Sequence, residues 1–419
     1  MTIDETIVPT IGFDHHSPHT AHHRDDVLAQ VRSHPIFWTE SHGGYWVATS
    51  YEVVKRVLRD PATFSSLKTE EMTGGVTIPT VIGPRLLPAE VDPPYHRALR
   101  KALVPAFNAG AVKRLEPELN DFISSVIDDA VAKGDFDVVA DIADRIPAGS
   151  MVTLLGFPEE ERVPFIKSVQ AALEVMPYAG DPEFAASPEM QEGLAHFGHA
   201  VEVIKSLIGL RRAEPRDDIV SHLVAAEGDQ IKPAEMMPMC NLLLVAGFET
   251  TVNLISNAVL ALLAHPAQWQ ALCADPGGLA AGAVEEVLRW DPPVQRTGRV
   301  ALESLELAGQ PVRQGQRVTT LIGAANRDPE AYDHPDTFDI MRRDGPANLA
   351  FSSGIHYCLG HALARSEATI ALRMLAERMP DLARAGTVKR RHATIIRGPV
   401  RLPVTATRQR VPPAVTGAM

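Results

Sequence analysis

The sequence predicts a mainly α-helical fold with a small β region, folded as one domain. Three observations carry that expectation. Helical patterning dominates from about residue 92 to about residue 290. Inside it, residues 234–264 include LLLVAGFETTVNLISNAVLALLA, apolar nearly all round, as expected of a helix through a core. Strand signals are short and confined to three places: IFWTES–YWVAT near the start, residues 304–322, and TIIRGPVRLPVTATR near the end. With 419 residues, 45% of them apolar, the chain can bury a large core. No internal repeat or low-complexity linker divides it.

Each element has a local reason. Gly43-Gly44 separates IFWTES from YWVAT as a hairpin turn would. Ser50 is placed to cap the helix YEVVKRVLRD. Residues 66–91, rich in Gly, Pro and Thr, read as a long loop of the kind that serves as a lid or binding loop. Asp92 suits an N-cap and Pro93-Pro94 a first turn, opening a helix through HRALRK. Residues 176–190 interrupt the helical region with a second flexible stretch. Gly309 and Gly315 punctuate the strands of 304–322, and 394–408 reads as a last hairpin or strand pair. Residues 1–25 and 409–419 are expected to be peripheral to the domain.

Composition narrows the function classes. A net charge of −12 argues against a general nucleic-acid binder, which normally carries a basic stripe. Three cysteines, Cys240, Cys273 and Cys358, form neither a disulfide framework nor the four thiolates of an ordinary iron–sulfur cluster. They fit a reducing compartment. The N-terminus lacks a basic region followed by an apolar one, so a cytoplasmic protein is expected. The best candidate membrane span, 242–264, is broken by Glu249, Thr250, Thr251, Asn253, Ser256 and Asn257, so no membrane insertion is expected. His15, His16, His19, His22 and His23 read as an exposed entry segment.

Two stretches carry chemistry. In the apolar helix, Ala246-Gly247 removes bulk, and Glu249 and Thr250 stand within one turn of the gap. Thr250 either bonds back to the carbonyl of Ala246 and bends the helix, or forms with Glu249 an acid–alcohol pair for proton delivery. In FSSGIHYCLG, residues 351–360, Cys358 lies between two glycines, two residues after His356. A thiol there is not placed as a core hydrophobe. Cys240, in the long helix, is. A zinc site from His356, Cys358 and His361 lacks a second half at zinc spacing.

Four motifs, in matching order and separation along essentially the whole chain, resemble the cytochrome P450 family. FSSGIHYCLG is similar to its haem loop and AGFETT to its oxygen-activating helix. EEVLR holds its E-x-x-R pair, Glu286 and Arg289, and HRALR holds His96 and Arg100, the haem-facing pair of bacterial members. Two positions depart from the family pattern: Ser352 where glycine is frequent, and Glu249 where many relatives have aspartate.

The resemblance implies a triangular, mainly helical cytochrome P450-type domain with a small β region, spanning 1–419. It implies haem b, with Cys358 as the thiolate ligand to iron. His96, Arg100, Arg299 and His356 would hold the two propionates; His96 and Arg100, four apart, share one helix face. Thr250 would hold and help protonate the oxygen being activated, with Glu249 passing protons from solvent. Glu286 and Arg289 would form a structural ion pair shared with a loop arginine, and Asn326-Arg327-Asp328-Pro329 would be structural.

The implied reaction inserts one atom of O2 into a small organic substrate. Two electrons would come from NAD(P)H through a separate ferredoxin and ferredoxin reductase, docking on Arg97, Lys101, Lys113 and Arg114. The pocket would be walled by the 66–91 loop, the 170–190 region, Leu242, Val245, Ala246, Val294 and Ile396, with Gln295 as one polar contact. Those apolar walls imply a hydrophobic substrate, and a monomer is expected. Two rival functions are a peroxide-driven peroxygenase, against which Glu249-Thr250 speaks, and a haem carrier or gas sensor.

Overall fold

The computed structural model describes residues 8–67 (apart from 15, 16, 18, 21 and 22), 88–175, 186–390 and 395–406. Most of the expected 66–91 loop, residues 176–185 of the second interruption, the tail beyond 406, and His15, His16 and His22 lie outside the described residues.

Helices of ten or more residues are α1 (Tyr95–Phe107), α2 (Ala109–Lys133), α3 (Arg145–Leu155), α4 (Glu159–Val175), α5 (Pro188–Ala213), α6 (Met236–Ala264), α7 (Pro276–Trp290) and α8 (His361–Arg378). The central helix α6 has 29 residues and so spans about 44 Å. It packs against α3, α5, α7 and α8 in one continuous apolar core. Its length and composition would also suit a membrane span, but about three quarters of its most apolar window is buried within the protein, as a core helix must be.

The main sheet has strands β1 (Ile36–Thr39), β2 (Tyr45–Ala48), β3 (Phe64–Ser65), β4 (Arg296–Ala301) and β5 (Arg317–Leu321), in the order β1-β2-β5-β4-β3. The expected hairpin pairs Ile36 with Ala48 and Thr39 with Tyr45. Within this sheet β2 and β5 pair in parallel, and the other strand pairs are antiparallel. The face packed on helix Tyr51–Arg59 buries Trp46, Val54, Leu58 and Val318 in a second apolar cluster. The pleat puts Thr297 and Arg299 of β4 on the same side.

Three local expectations are corrected. Ser50 makes no capping bond; the Asp328 carboxylate instead accepts from the Tyr51 amide at 2.7 Å. Asp92 does not cap α1 with its side chain, which is held by the Ser66 amide at 3.0 Å and the Ser65 hydroxyl. Its carbonyl accepts from the His96 amide at 3.0 Å. The C-terminal strands do not pair with each other. Pro399–Arg401 pairs with Lys389–Arg390, while Pro403–Thr405 lies between Asp135–Asp137 and Ala383–Arg384. A single Leu402 between two strands leaves no room for a turn that would fold one on the other.

Candidate active site

A cavity of about 340 Å³ lies between α6 and the loop that precedes α8, with α1 and β4 at its sides. That is within the range of ordinary ligand pockets, about 300–1,000 Å³. Cys358 and Thr250 are both on its wall.

On the cysteine side, the loop closes on itself. The Cys358 amide donates to the Phe351 carbonyl at 2.9 Å, and the Tyr357 amide to that of Gly354 at 3.1 Å. Gly354 has φ of +70°, and a Cβ there would meet the Leu58 carbonyl and Arg59 Cα at 2.9 Å. Its lack of a side chain therefore lets the loop press on the end of helix Tyr51–Arg59 and does not serve the cavity. Gly360 does line the cavity, and a Cβ there would meet nothing within 4 Å. Burial pushes the Cys358 thiol up, while the Gly360 and His361 amides bonded to it, with Arg100 and Arg365, act in the opposite direction. The start of α8 thus aims N–H groups at the sulfur, the arrangement that stabilises a thiolate. The other two cysteines offer nothing similar: burial alone pushes Cys240 up to about 12, and Cys273 points to the Pro380 carbonyl.

Beside the sulfur stands a cluster of two arginines and two histidines, with Asp92 as the nearby carboxylate. His96 is 2% exposed, and neither ring nitrogen has a hydrogen-bond partner. Its ring lies 4.4 Å from that of His356, whose Nε2 is 2.9 Å from Ser66 Oγ. Arg299 is buried and donates to the Gly298 carbonyl at 2.8 Å and Thr297 Oγ1 at 3.2 Å. Among the described residues neither Arg100 nor Arg299 forms an ion pair. Asp92 is near enough to act on Arg299 electrostatically, but its carboxylate is taken by Ser65 and Ser66. Burial lowers Arg299 to about 10, His96 to about 4 and His356 to about 3. The resemblance named these four residues, and the fold brings them together.

On the α6 side, Ala246, Gly247, Thr250 and Thr251 line the cavity. Thr250 Oγ1 donates to the Ala246 carbonyl at 2.7 Å, the back-bonded geometry that the sequence left open. Glu249 does not line the cavity: one step around the helix, it lies on a partly exposed face, and its carbonyl accepts from Asn253 at 2.7 Å.

Of the expected pocket walls, Leu242, Ala246 and Val294 line the cavity. Ile396 does not. It pairs with Val294 in an isolated antiparallel bridge and stands one strand spacing to its side. The side chain of Val245 lies outside the described residues. Gln295 is already engaged: Arg24 donates to its Oε1 at 2.8 Å, and its amide donates to the Pro292 carbonyl at 2.5 Å. Sequence reading missed Leu103, Phe107, Met151 and Thr297 as lining residues. The spacing 96–100–103–107 places the first two on the His96 face of α1 and could have found them. It also missed Arg365, which stacks 4.4 Å from the Phe351 ring and pairs with Glu285, holding the cysteine loop to α7.

A family profile described as cytochrome P450 matches residues 279–378. Cytochrome P450 107B1 of Saccharopolyspora erythraea is 35% identical over 96% of this chain and 99% of its own length. The erythromycin C-12 hydroxylase of the same organism is 36% identical, over 91% and 94%. The chain belongs to the cytochrome P450 family. Among solved structures, P450BioI bound to an acyl carrier protein ligated to hexadec-9Z-enoic acid matches with TM-score 0.81 at 33% identity, over 93% of this chain and 99% of that one. CYP109Q5 from Chondromyces apiculatus matches with TM-score 0.83 at 30% identity, over 96% and 100%. The protein is therefore an oxidoreductase of the haem-dependent kind that oxidises small molecules with O2.

The residues present fit a haem. A cytochrome P450 needs a thiolate donor, counter-charges for two carboxylates and a flat space between them. Cys358 with its two amides, the unpartnered His96 nitrogens and buried Arg299, and the open wall at Gly360 supply these. The E-x-x-R pair lies outside this cavity. Arg289 and Glu286 form a bidentate pair with both bonds at 2.7 Å, and Arg342 joins it at 3.3 Å as the expected loop arginine. Asn326 bonds Leu288 and Leu349, and Arg327 bonds Asp25 and Asp336, so that segment is scaffold too.

Proposed function

We propose that this protein is a monooxygenase that inserts one oxygen atom into a hydrophobic small molecule, working as a monomeric, single-domain cytoplasmic enzyme. The observation that carries the reading is that Cys358, Arg100, Arg299 and His356 share the cavity wall, with His96 packed against His356, while Thr250 lines the same cavity from α6. Haem b, bound through Cys358, would supply the redox chemistry of O2, with thiolate ligation favouring O–O cleavage. His96, Arg100, Arg299 and His356 hold its carboxylates. Buried charge-assisted hydrogen bonds of this kind are strong and fix orientation.

Thr250 is the residue that moves a proton. Its hydroxyl donates to the Ala246 carbonyl and still has lone pairs open to a donor on the cavity side. Delivery requires the hydroxyl to turn from that carbonyl into the cavity. Glu249, adjacent in sequence and partly exposed, connects this position to solvent. The longer carboxylate suits a residue that stands off the cavity wall and reaches around the helix.

The substrate side of the cavity is lined by Leu103, Phe107, Leu242, Leu243, Ala246 and Val294, without a free charge beyond the carboxylate-binding group. An uncharged, apolar substrate is expected on that wall. The relatives named for erythromycin hydroxylation and for steroid C26 oxidation support a molecule of substantial size. Electrons come from NAD(P)H through a separate ferredoxin and its reductase. Arg97, Lys101, Lys113 and Arg114 are all exposed on α1 and α2, and Val104 is 45% exposed among them, a surface suited to an acidic partner.

Two measurements test the reading. Reduced protein under carbon monoxide should show a thiolate-type Soret band that Cys240→Ala keeps and Cys358→Ala loses. A library of apolar compounds should contain members that shift the spin state of the resting enzyme. A thiolate-type spectrum in Cys358→Ala would refute the ligand assignment.

A further inference from the structure

A second cavity, of about 410 Å³, shares no lining residue with the cavity of Cys358 and Thr250 among the described residues. Its size is that of a small-molecule site. It sits on the C-terminal part of α6, against the end of α7 and the strands Ala383–Arg384 and Lys389–Arg390. Asn257, the first α6 residue on its wall, lies about 10 Å beyond Thr250 along the helix. The Asn257 amide donates to the carbonyls of Asp291 at 3.2 Å and Arg397 at 3.0 Å, which fixes that wall in place.

One half of the wall is apolar and the other is cationic. Leu260, Ala261 and Ala264 of α6 form the apolar half, and the two alanines leave it open. Arg384, Arg390 and Asp291 form the charged half. Asp291 is the one carboxylate on the wall among the described residues, and it faces three guanidiniums. Its Oδ1 lies 3.1 Å from Arg397 Nε and 3.6 Å from Arg24 Nη1. Arg390 Nη1 stands 3.9 Å from Oδ2, beyond hydrogen-bond distance. Asp25 also pairs with Arg24 but is shared with Arg327. Burial and the repulsion of Arg397 lower the pKa of Arg390. Arg384 is exposed and forms no ion pair among the described residues. The chain supplies little relief nearby: after Asp381 it has eight Lys and Arg and no Asp or Glu, although its net charge is −12. Positive charge beside a cavity with an apolar wall suits an anion that carries an apolar body.

We propose that this cavity binds a small organic carboxylate, with its anionic end on Arg384 and Arg390 and its apolar body on Leu260, Ala261 and Ala264. The planar guanidinium fork matches a carboxylate. Area removed from water on the alanine side favours an organic anion over an inorganic one. The site stands independently of the haem–thiolate reading, since none of its residues lines the other cavity.

The test is calorimetric titration of the holoenzyme with benzoate at low ionic strength, beside benzamide and inorganic phosphate. Benzoate should bind at least about tenfold more tightly than either, because benzamide lacks the charge and phosphate lacks the apolar body. Arg390→Gln should weaken benzoate about tenfold and the exposed Arg384→Gln about threefold. Arg313→Gln, which removes an exposed cation elsewhere, should match wild type. The Soret band should stay unchanged throughout. Arg384→Gln alters only an exposed side chain, so it keeps the test decisive where Arg390→Gln fails to fold. Benzoate bound no better than benzamide or phosphate overturns the inference. So does equal binding by wild type and Arg384→Gln, equal loss in Arg313→Gln, or a Soret shift that places benzoate in the cavity of Cys358.

Discussion

Two of the clusters of charged or protonatable side chains buried among the described residues are satisfied in opposite ways. Around Glu286, every partner is present. Glu286 and Arg289 are each 3% exposed, the pair is bidentate, Arg342 joins it, the Asp339 amide donates to Glu286, and Arg289 donates to the carbonyls of Asn326, Pro335 and Thr337. Around His96, partners are missing among the described residues: two ring nitrogens without a hydrogen bond, and two arginines outside any ion pair on the wall of a cavity. A buried charge without a counter-charge is costly. A closed network is therefore scaffold, and an open one beside a cavity is a site whose complement arrives with the ligand.

That contrast can be broken at several points. The largest effect is expected at the sulfur. Cys358→Ala should abolish the thiolate-type spectrum and product formation outright, while Cys240→Ala, which alters only packing, should keep both. Next comes the closed cluster. Arg289→Ala strands a buried Glu286 carboxylate and should cost about 3–5 kcal/mol of stability, read by denaturant unfolding, with or without haem. Removing Arg299 from the open cluster should leave the haem-free protein as stable as wild type or more so. Equal destabilisation by both would erase the distinction between them.

A smaller, specific effect is expected at Thr250. Thr250→Ala should bind haem and substrate and consume NAD(P)H through a surrogate ferredoxin system. Product per electron pair should fall several-fold while hydrogen peroxide rises. If the ratio of product to peroxide matches wild type, the Ala246 bond is the hydroxyl's whole role and Thr250 is a helix-bending residue. The mildest effect is on acid stability of the haem-free protein. Burial lowers His96 to about 4 and His356 to about 3, below the ordinary 6.5. The unfolded chain therefore takes up protons first. This stability is fully present above about pH 6.5 and declines as pH falls toward 4 and 3. His96→Gln should flatten part of that decline in melts between pH 7 and pH 4.

Much of this was legible in the sequence, and the gaps have physical causes. The central helix, the first hairpin and the strands around Gly309 follow from local periodicity and turn chemistry, and they stand where expected. Cys358, His96, Arg100, Arg299 and His356 were named because motifs mark them, and the fold brings them together although 262 residues separate the first and last of them. What failed was whatever depended on a competing tertiary partner. Asp328 displaced Ser50 as a cap, Ser65 and Ser66 captured Asp92, and Arg24 claimed Gln295 from across the chain. Ile396 stands beside Val294 in a bridge and not on the cavity wall, a lateral offset that neither periodicity nor motif reports. Arg365 carried no motif of its own, since its value lies in Phe351 and Glu285 meeting it in space.

The central claim is that the open cluster waits for the carboxylates of haem. It is tested most directly by the rate at which haem passes to apomyoglobin from Arg100→Ala/Arg299→Ala, measured beside wild type. Each lost hydrogen bond to a charged group is worth about 1.5–3 kcal/mol. The account predicts release faster by roughly a hundredfold or more, with an unchanged melting temperature of the haem-free protein. Release at the wild-type rate would contradict it.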